Sequence, residues 1–420
     1  MQPLTSTTYR DETWDFRSAD TKQYTHGFHP YPAMMIPQIA RRILEEFGQG
    51  AQQLFDPYCG TGTSLVEANL KGVDAIGTDI NPLARLIAKV KTTVIPLEVI
   101  DQHIKDFNDF VFSIRWDRAR PTPVIPRFKN IDYWFKEDTQ YQLAVLKEYI
   151  EGIAHEDVRD FFSVAFSETV REVSLTRNGE FKLYRKTPRQ IETFFPDAWA
   201  VMAKKLVRNR RGMAEYIRAK APAAVARIYD FNTVYGIPQD VLGAESVDII
   251  ITSPPYGDSR TTVAYGQFSR LSNQWLGFEK LNEVDKKCMG GKRDKEIKTF
   301  DFPPLDAVLA RIAALDPKRV HDVVAFYADY EASIHHVAGV VRQGGIVAYV
   351  VGNRRVKGIE IPTDKVTSEF FARCGFTHLK TVIRAIPNKR MPKRNSPSNV
   401  VGQTDTTMNR EYIVILRKEG

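Results

Sequence analysis

The chain has 420 residues, of which 43% are hydrophobic and 26% charged. That balance excludes a mainly disordered chain, a collagen-like repeat and a coiled-coil rod, and the length is enough for roughly two to three domains. Lys and Arg number 59 against 51 Asp and Glu, a net charge of +8, which permits a nucleic-acid partner without requiring one. The three cysteines, Cys59, Cys288 and Cys374, form no CxxC pair. This argues against a disulfide framework or a zinc knuckle, and no other ligand cluster points to a metal. Met1 to Asp20 is polar and lacks the apolar core of a signal peptide, and no window approaches 18 uninterrupted apolar residues. A cytoplasmic protein without a membrane span is expected.

Residues 1–27 read as a polar arm with aromatic anchors at Trp14, Phe16 and Tyr24. His29-Pro30-Tyr31-Pro32 is a stiff extended turn, because each proline keeps its predecessor out of the helical region. Ile39, Ile43, Leu44 and Phe47 predict a helix from Pro37 that Gly48 stops. A β-turn-α-β unit follows: strand 53–56, glycine turn 59–63, helix 64–71, strand 73–78, then a helix over 83–91 opened by Asn81-Pro82.

Residues 92–224 break this rhythm and predict a mainly helical insertion, with helices over 141–150 and 197–208 between Pro-rich connectors. The α/β pattern resumes at 225, with strands over 227–231, 247–252 and 346–351 and a long helix over 322–341. Residues 378–386 and 411–417 alternate like a terminal β-hairpin. The predicted organisation is thus a catalytic domain from 1–91 and 225–420, interrupted by the 92–224 insertion.

Asp56-Pro57-Tyr58-Cys59-Gly60-Thr61-Gly62-Thr63 leaves a strand and opens a helix. Two glycines permit positive φ and close approach of a ligand to the backbone. Asp79 ends the next strand about 20 residues on, where an acidic side chain accepts both hydroxyls of a ribose. A dinucleotide fingerprint would need glycine where Leu65 stands, and a P-loop would need Gly-Lys-Ser/Thr. Asp56 beside the turn would repel a pyrophosphate but suits a cationic cofactor, and S-adenosylmethionine is one. A plain strand-to-helix turn is the competing reading.

Ser253-Pro254-Pro255-Tyr256 ends the β-branched run Val247 to Thr252. The two prolines remove two N–H donors and stiffen the chain, leaving the Ser253 side chain and two carbonyls as acceptors. Such a turn holds the two N–H donors of an exocyclic amino group. Tyr256 offers a stacking face for a planar base, worth about 1–3 kcal/mol. An isolated SPPY would be an ordinary proline turn. At the C-terminal end of a parallel strand, it lies where ligands of open α/β sheets bind.

These residues resemble the amino-methyltransferases that modify the exocyclic nitrogen of cytosine or adenine in DNA. Asp56 to Thr63 is similar to the DPFCGxGT cofactor motif, with Tyr58 in place of Phe. Thr252 to Tyr256 is similar to the TSPPY catalytic motif. His29-Pro30-Tyr31-Pro32-Ala33 is similar to the segment that closes over the methionine end of the cofactor. The resemblance implies a class I methyltransferase fold, a Rossmann-like seven-stranded sheet ending in a β-hairpin. It implies a cofactor site drawn from His29, Pro30, Tyr31, Pro32, Asp56, Pro57, Cys59, Gly60, Thr61, Gly62, Thr63, Asp79, Ile80 and Asn81. Asn232 takes the place of the family's third acidic contact, and its side-chain oxygen can still accept from the adenine amino group.

TSPPY implies cytosine N4 as the target, since an acidic first residue is commoner for adenine N6; both rules have exceptions, and adenine N6 is the alternative. The base must leave the duplex to react. Duplex DNA is the implied partner, and a cognate restriction endonuclease is implied by family habit. Expected DNA contacts are Arg260 after the catalytic turn, the run Lys204, Arg208, Arg210 and Arg211, and Lys389 and Arg390 in the hairpin loop. A solvated helix face is the plain reading of that run. An RNA amino-methyltransferase and a catalytically silent nucleic-acid-binding subunit remain as alternatives.

Overall fold

The computed structural model describes residues 7–116, 118–177, 182–258, 265–279, 283–293, 296–386, 394–395, 405–406 and 408–420. One sheet organises them. Its strands are β1 (Thr7–Arg10), β2 (Gln53–Asp56), β3 (Asp74–Thr78), β4 (Ala226–Tyr229), β5 (Val247–Thr252), β6 (Val341–Val351), β7 (Phe376–Ala385) and β8 (Arg410–Lys418). The spatial order is β1-β7-β8-β6-β5-β2-β3-β4. β8 runs antiparallel to β6 and β7, and the remaining pairs are parallel.

Without β1 this is the predicted seven-stranded sheet with its terminal hairpin. The eighth strand is a departure. Thr7 to Arg10 pairs in parallel with Lys380 to Ile383, covering the edge that β7 would otherwise leave open. Four residues inside a polar arm are too few for alternation to reveal such a strand.

β5 sits at the centre. Ile249, Ile250 and Ile251 are all buried, as a strand covered on both faces demands. On one face Leu54, Ala75, Ile249 and Ala348 pack against α1 (Pro37–Phe47) and α2 (Thr63–Leu70). On the other, Phe55, Ile250, Val347 and Tyr349 pack against the long helices Arg319–Val340 and Thr363–Ala372.

The segment 92–224 is mainly helical, with helices Leu97–Arg115, Glu137–Glu151, Glu156–Val173 and Ala198–Ala219. Its apolar side chains join one cluster with Leu83 and Ile87 of α3 (Pro82–Thr92) and with Phe268, Leu271 and Trp275 of helix Tyr265–Trp275. It shares its core with the elements that flank the sheet. Among the described residues no helix is long and apolar enough to cross a membrane.

β2 connects outward to β3, while β5 connects the opposite way to β6. The strand order therefore reverses between β2 and β5, and a crevice opens beyond their C-terminal ends. The glycine turn leaves β2 there, and the Ser-Pro-Pro-Tyr turn leaves β5 beside it.

Candidate active site

The glycine turn is built by its backbone. Cys59 N–H donates to the Thr78 carbonyl at 3.0 Å, and Gly62 N–H donates to the Cys59 carbonyl at 2.7 Å. Gly60 and Gly62 have φ of +49° and +76°, a region other residues enter at a cost. A Cβ on Gly62 would stand 3.0 Å from the Ala88 Cβ of α3, so glycine here also lets two helices approach. Gly60 has nothing within 4 Å of such a Cβ and lines the crevice. A side chain at 60 would project into ligand space.

Two carboxylates flank the turn. Asp56 accepts from Thr252 Oγ1 at 2.5 Å, from Tyr58 N–H at 3.1 Å and from the Ser64 hydroxyl. Asp79 accepts from Gly60 N–H at 3.1 Å and Asn81 N–H at 2.7 Å. Burial pushes both acids up to about 6, against the lowering effect of these donors. Two carboxyls at the cavity wall, raised to about 6 yet mostly ionised at neutral pH, suit a ligand that brings its own positive charge.

One cavity joins the two turns. Its wall includes Tyr31, Pro32, Asp56, Pro57, Cys59, Gly60, Thr61, Thr63, Asp79, Ile80, Asn81, Asn232, Ser253 and Pro255. Five residues expected at the site are not part of this wall. Gly62 shapes the turn from behind. His29 is buried, with Nδ1 2.6 Å from the Pro30 carbonyl and its ring edge-on to Phe268, and burial lowers it to about 4. Pro30, Pro254 and Tyr256 lie outside the wall as well. Tyr31 is held by a 2.8 Å hydrogen bond from Asn81 Nδ2, joining the proline segment to the helix after Asp79.

Asn232 lines the cavity with both ends of its amide engaged. Nδ2 donates to the Lys287 carbonyl at 2.9 Å, and Oδ1 accepts from Val234 N–H at 3.0 Å. A further contact to an adenine amino group would use the second lone pair of Oδ1.

The residues missed in the sequence come mostly from tertiary packing. Met34, Tyr58, Phe231, Tyr265, Cys288 and Met289 also line the wall. Tyr58 lies within the glycine motif and Phe231 at the end of the strand predicted over 227–231, so position could have found them. Tyr265, Cys288 and Met289 lie between β5 and the helix Arg319–Val340, where no pattern announces them. Gly77 on β3 is another omission: a Cβ there would meet Cys59 Cβ at 2.8 Å and Leu65 Cδ1 at 2.7 Å. The strand must carry glycine for the turn to lie against it.

The basic run on helix Ala198–Ala219 is largely engaged within the chain. Arg208 pairs with Glu168 at 2.6 Å and donates to the Phe28 carbonyl. Arg210 pairs with Asp101 at 2.6 Å, and Arg211 lies 3.3 Å from Glu215. Lys204 and Arg211 are exposed. Arg260, Lys389 and Arg390 lie outside the described residues. Among the described residues no cluster of His, Cys, Asp and Glu could hold a metal ion.

Sheet order, switch-point cavity and acid-flanked glycine turn together define a class I S-adenosylmethionine-dependent methyltransferase. No family model matches the sequence, but whole-chain comparison is decisive. The type II methyltransferase M.MvaI of Kocuria varians is 40% identical over 96% of this chain and 93% of its own length. The type II methyltransferase M.BsoBI of Geobacillus stearothermophilus is 22% identical over 80% of this chain and 70% of its own. Among solved structures, the rRNA methyltransferase aviRa of Streptomyces viridochromogenes covers 97% of this chain and 94% of its own at 12% identity, with a TM-score of 0.31, too low to bear on the fold. The chain belongs to the type II methyltransferases, the S-adenosylmethionine-dependent DNA-modifying enzymes of restriction-modification systems.

Proposed function

We propose that this chain methylates the exocyclic N4 amino group of cytosine in duplex DNA, after flipping the base into the cavity beside Ser253. One observation carries the reading. The side chain at the head of the catalytic turn is a neutral hydroxyl, and it shares a cavity wall with the acid-flanked glycine turn. The cofactor, when bound, supplies an electrophilic methyl group on a sulfonium.

Asp79 would accept the ribose hydroxyls. Asp56 and the Gly60–Thr63 turn would hold the cationic methionine end, and Phe231 and Ile80 would flank the adenine. Ser253 and the carbonyls of the proline turn would grip the amino hydrogens and aim the nitrogen lone pair along the methyl–sulfur axis. Positioning of this kind supplies most of the acceleration. Nitrogen forms the new bond as the methyl–sulfur bond breaks, the bonding pair stays on sulfur as the neutral thioether S-adenosylhomocysteine, and the methylated amino group releases one proton to solvent. Segment 92–224 is proposed to carry much of the sequence recognition. A cognate endonuclease cutting the same site is the partner this reading implies.

The test uses plasmid DNA propagated with and without the enzyme in a methylation-deficient host. The DNA is digested to nucleosides and analysed by mass spectrometry. N4-methylcytosine is expected. N6-methyladenine alone would replace cytosine by adenine as the target, and methylation confined to RNA would overturn the DNA reading.

A further inference from the structure

Ser253 does not stand alone. Its single hydroxyl proton has two acceptors, the Val350 carbonyl at 3.1 Å and Tyr256 Oη at 3.2 Å. The Tyr256 hydroxyl in turn donates to Glu411 Oε1 at 3.0 Å. Glu411 is ion-paired through its other oxygen with Arg384. Arg384 is buried, and it donates from Nε to the Trp14 carbonyl at 2.8 Å and from Nη2 to the Asp15 carbonyl at 3.2 Å.

The antiparallel strand makes this chain of contacts possible. β8 enters the sheet where the parallel strands end, so Glu411, near its start, lies at the edge that carries the catalytic turn. Glu411 stands directly across from Arg384 of β7. The Tyr256 ring is confined from the side: a Cβ on Gly352 would come 2.9 Å from Tyr256 Cδ2.

The direction of donation runs one way. Arg384 can only donate, and an ion-paired carboxylate can only accept. Tyr256 therefore gives its proton to Glu411 and accepts from Ser253. With its proton drawn to Tyr256 or Val350, the Ser253 oxygen has only lone pairs left for the cavity.

We propose that Glu411, held by Arg384, is a positioning residue that acts through Tyr256 to fix Ser253 as a hydrogen-bond acceptor toward the base. The site is thereby set to read an N–H donor, an amino rather than a keto group. This rests on the proposed amino-methyl transfer, but it does not depend on whether cytosine or adenine is the target.

The test measures single-turnover methyl transfer on whichever DNA the wild-type enzyme methylates, with S-adenosylmethionine affinity by calorimetry and thermal midpoint alongside. Tyr256→Phe keeps the ring and removes only the hydroxyl. Glu411→Ala removes the acceptor. Each is expected to slow transfer about three- to tenfold, the value of one neutral hydrogen bond, since the Val350 carbonyl remains to accept from Ser253 but without the orientation that Tyr256 imposes. Cofactor affinity should stay within about twofold, because the contact acts on the base. The double variant should be no slower than the slower single variant, since both changes cut the same chain. Glu411→Gln keeps an acceptor oxygen and should restore part of the rate. Losses that multiply in the double variant, or a Tyr256→Phe enzyme at full rate, would overturn the proposal. Absence of any DNA methylation by the wild type would instead overturn the function it rests on.

Discussion

The two turns that meet at the switch point work by different physics. The turn after β2 sets Gly60 in the cavity wall between two acids that burial drives up to about 6. The turn after β5 places Ser253 and Pro255 in the cavity wall. On the proposed reading the first turn binds the cationic cofactor by charge. The second positions the base through Ser253, whose donation is directed from outside the cavity wall by Tyr256 and Glu411. A methyltransferase needs this division: a cationic donor is held by fixed negative charge, whereas a neutral amino group must be oriented without being protonated.

Removing charge from the first turn should have the largest effect. Asp79→Ala deletes the acceptor for two ribose hydroxyls and should weaken S-adenosylmethionine binding at least about a hundredfold, at about 1.5–3 kcal/mol per charged hydrogen bond. Calorimetry reads this directly, and a loss under tenfold would mean that the acid does not face the ribose. Ser253→Ala should leave cofactor affinity unchanged while slowing transfer about tenfold or more. Single-turnover rates at saturating cofactor separate the two effects, and an equal loss in both would erase the proposed division of labour.

pH sharpens the contrast with a smaller effect. Asp56 and Asp79 ionise near 6 because burial disfavours their charged forms. They hold full charge above about pH 7 and lose it as pH falls through 6. Affinity for the cationic cofactor should therefore fall about tenfold between pH 7 and pH 5 for each acid that must be ionised. Asp79→Asn should flatten part of that profile. The transfer rate at saturating cofactor should not follow the same curve, since neither acid touches the base.

The sheet was legible because its strands are short β-branched runs that end in turn residues, and Val247 to Thr252 running into Ser253 is the clearest. The glycine turn and the Ser-Pro-Pro-Tyr turn were legible because each is contiguous in sequence and chemically unusual. Less was legible where contacts join distant segments. Arg208 and Arg210 read as free cations in sequence, yet Glu168 and Asp101 meet them across the helical layer. His29 read as part of the cofactor site, yet it packs into the apolar cluster against Phe268.

The fold class and the two turns can be read along the chain, because local pattern and steric demand at glycine and proline are properties of neighbouring residues. Which side chains share the cavity, and which cations are already paired, follows from packing between distant segments. The tertiary structure alone brought Glu411 and Arg384 to the catalytic turn. The reason is the antiparallel β8: by reversing direction at the end of the chain, it returns residue 411 to the edge where residue 256 stands, and no periodicity in the sequence encodes that meeting.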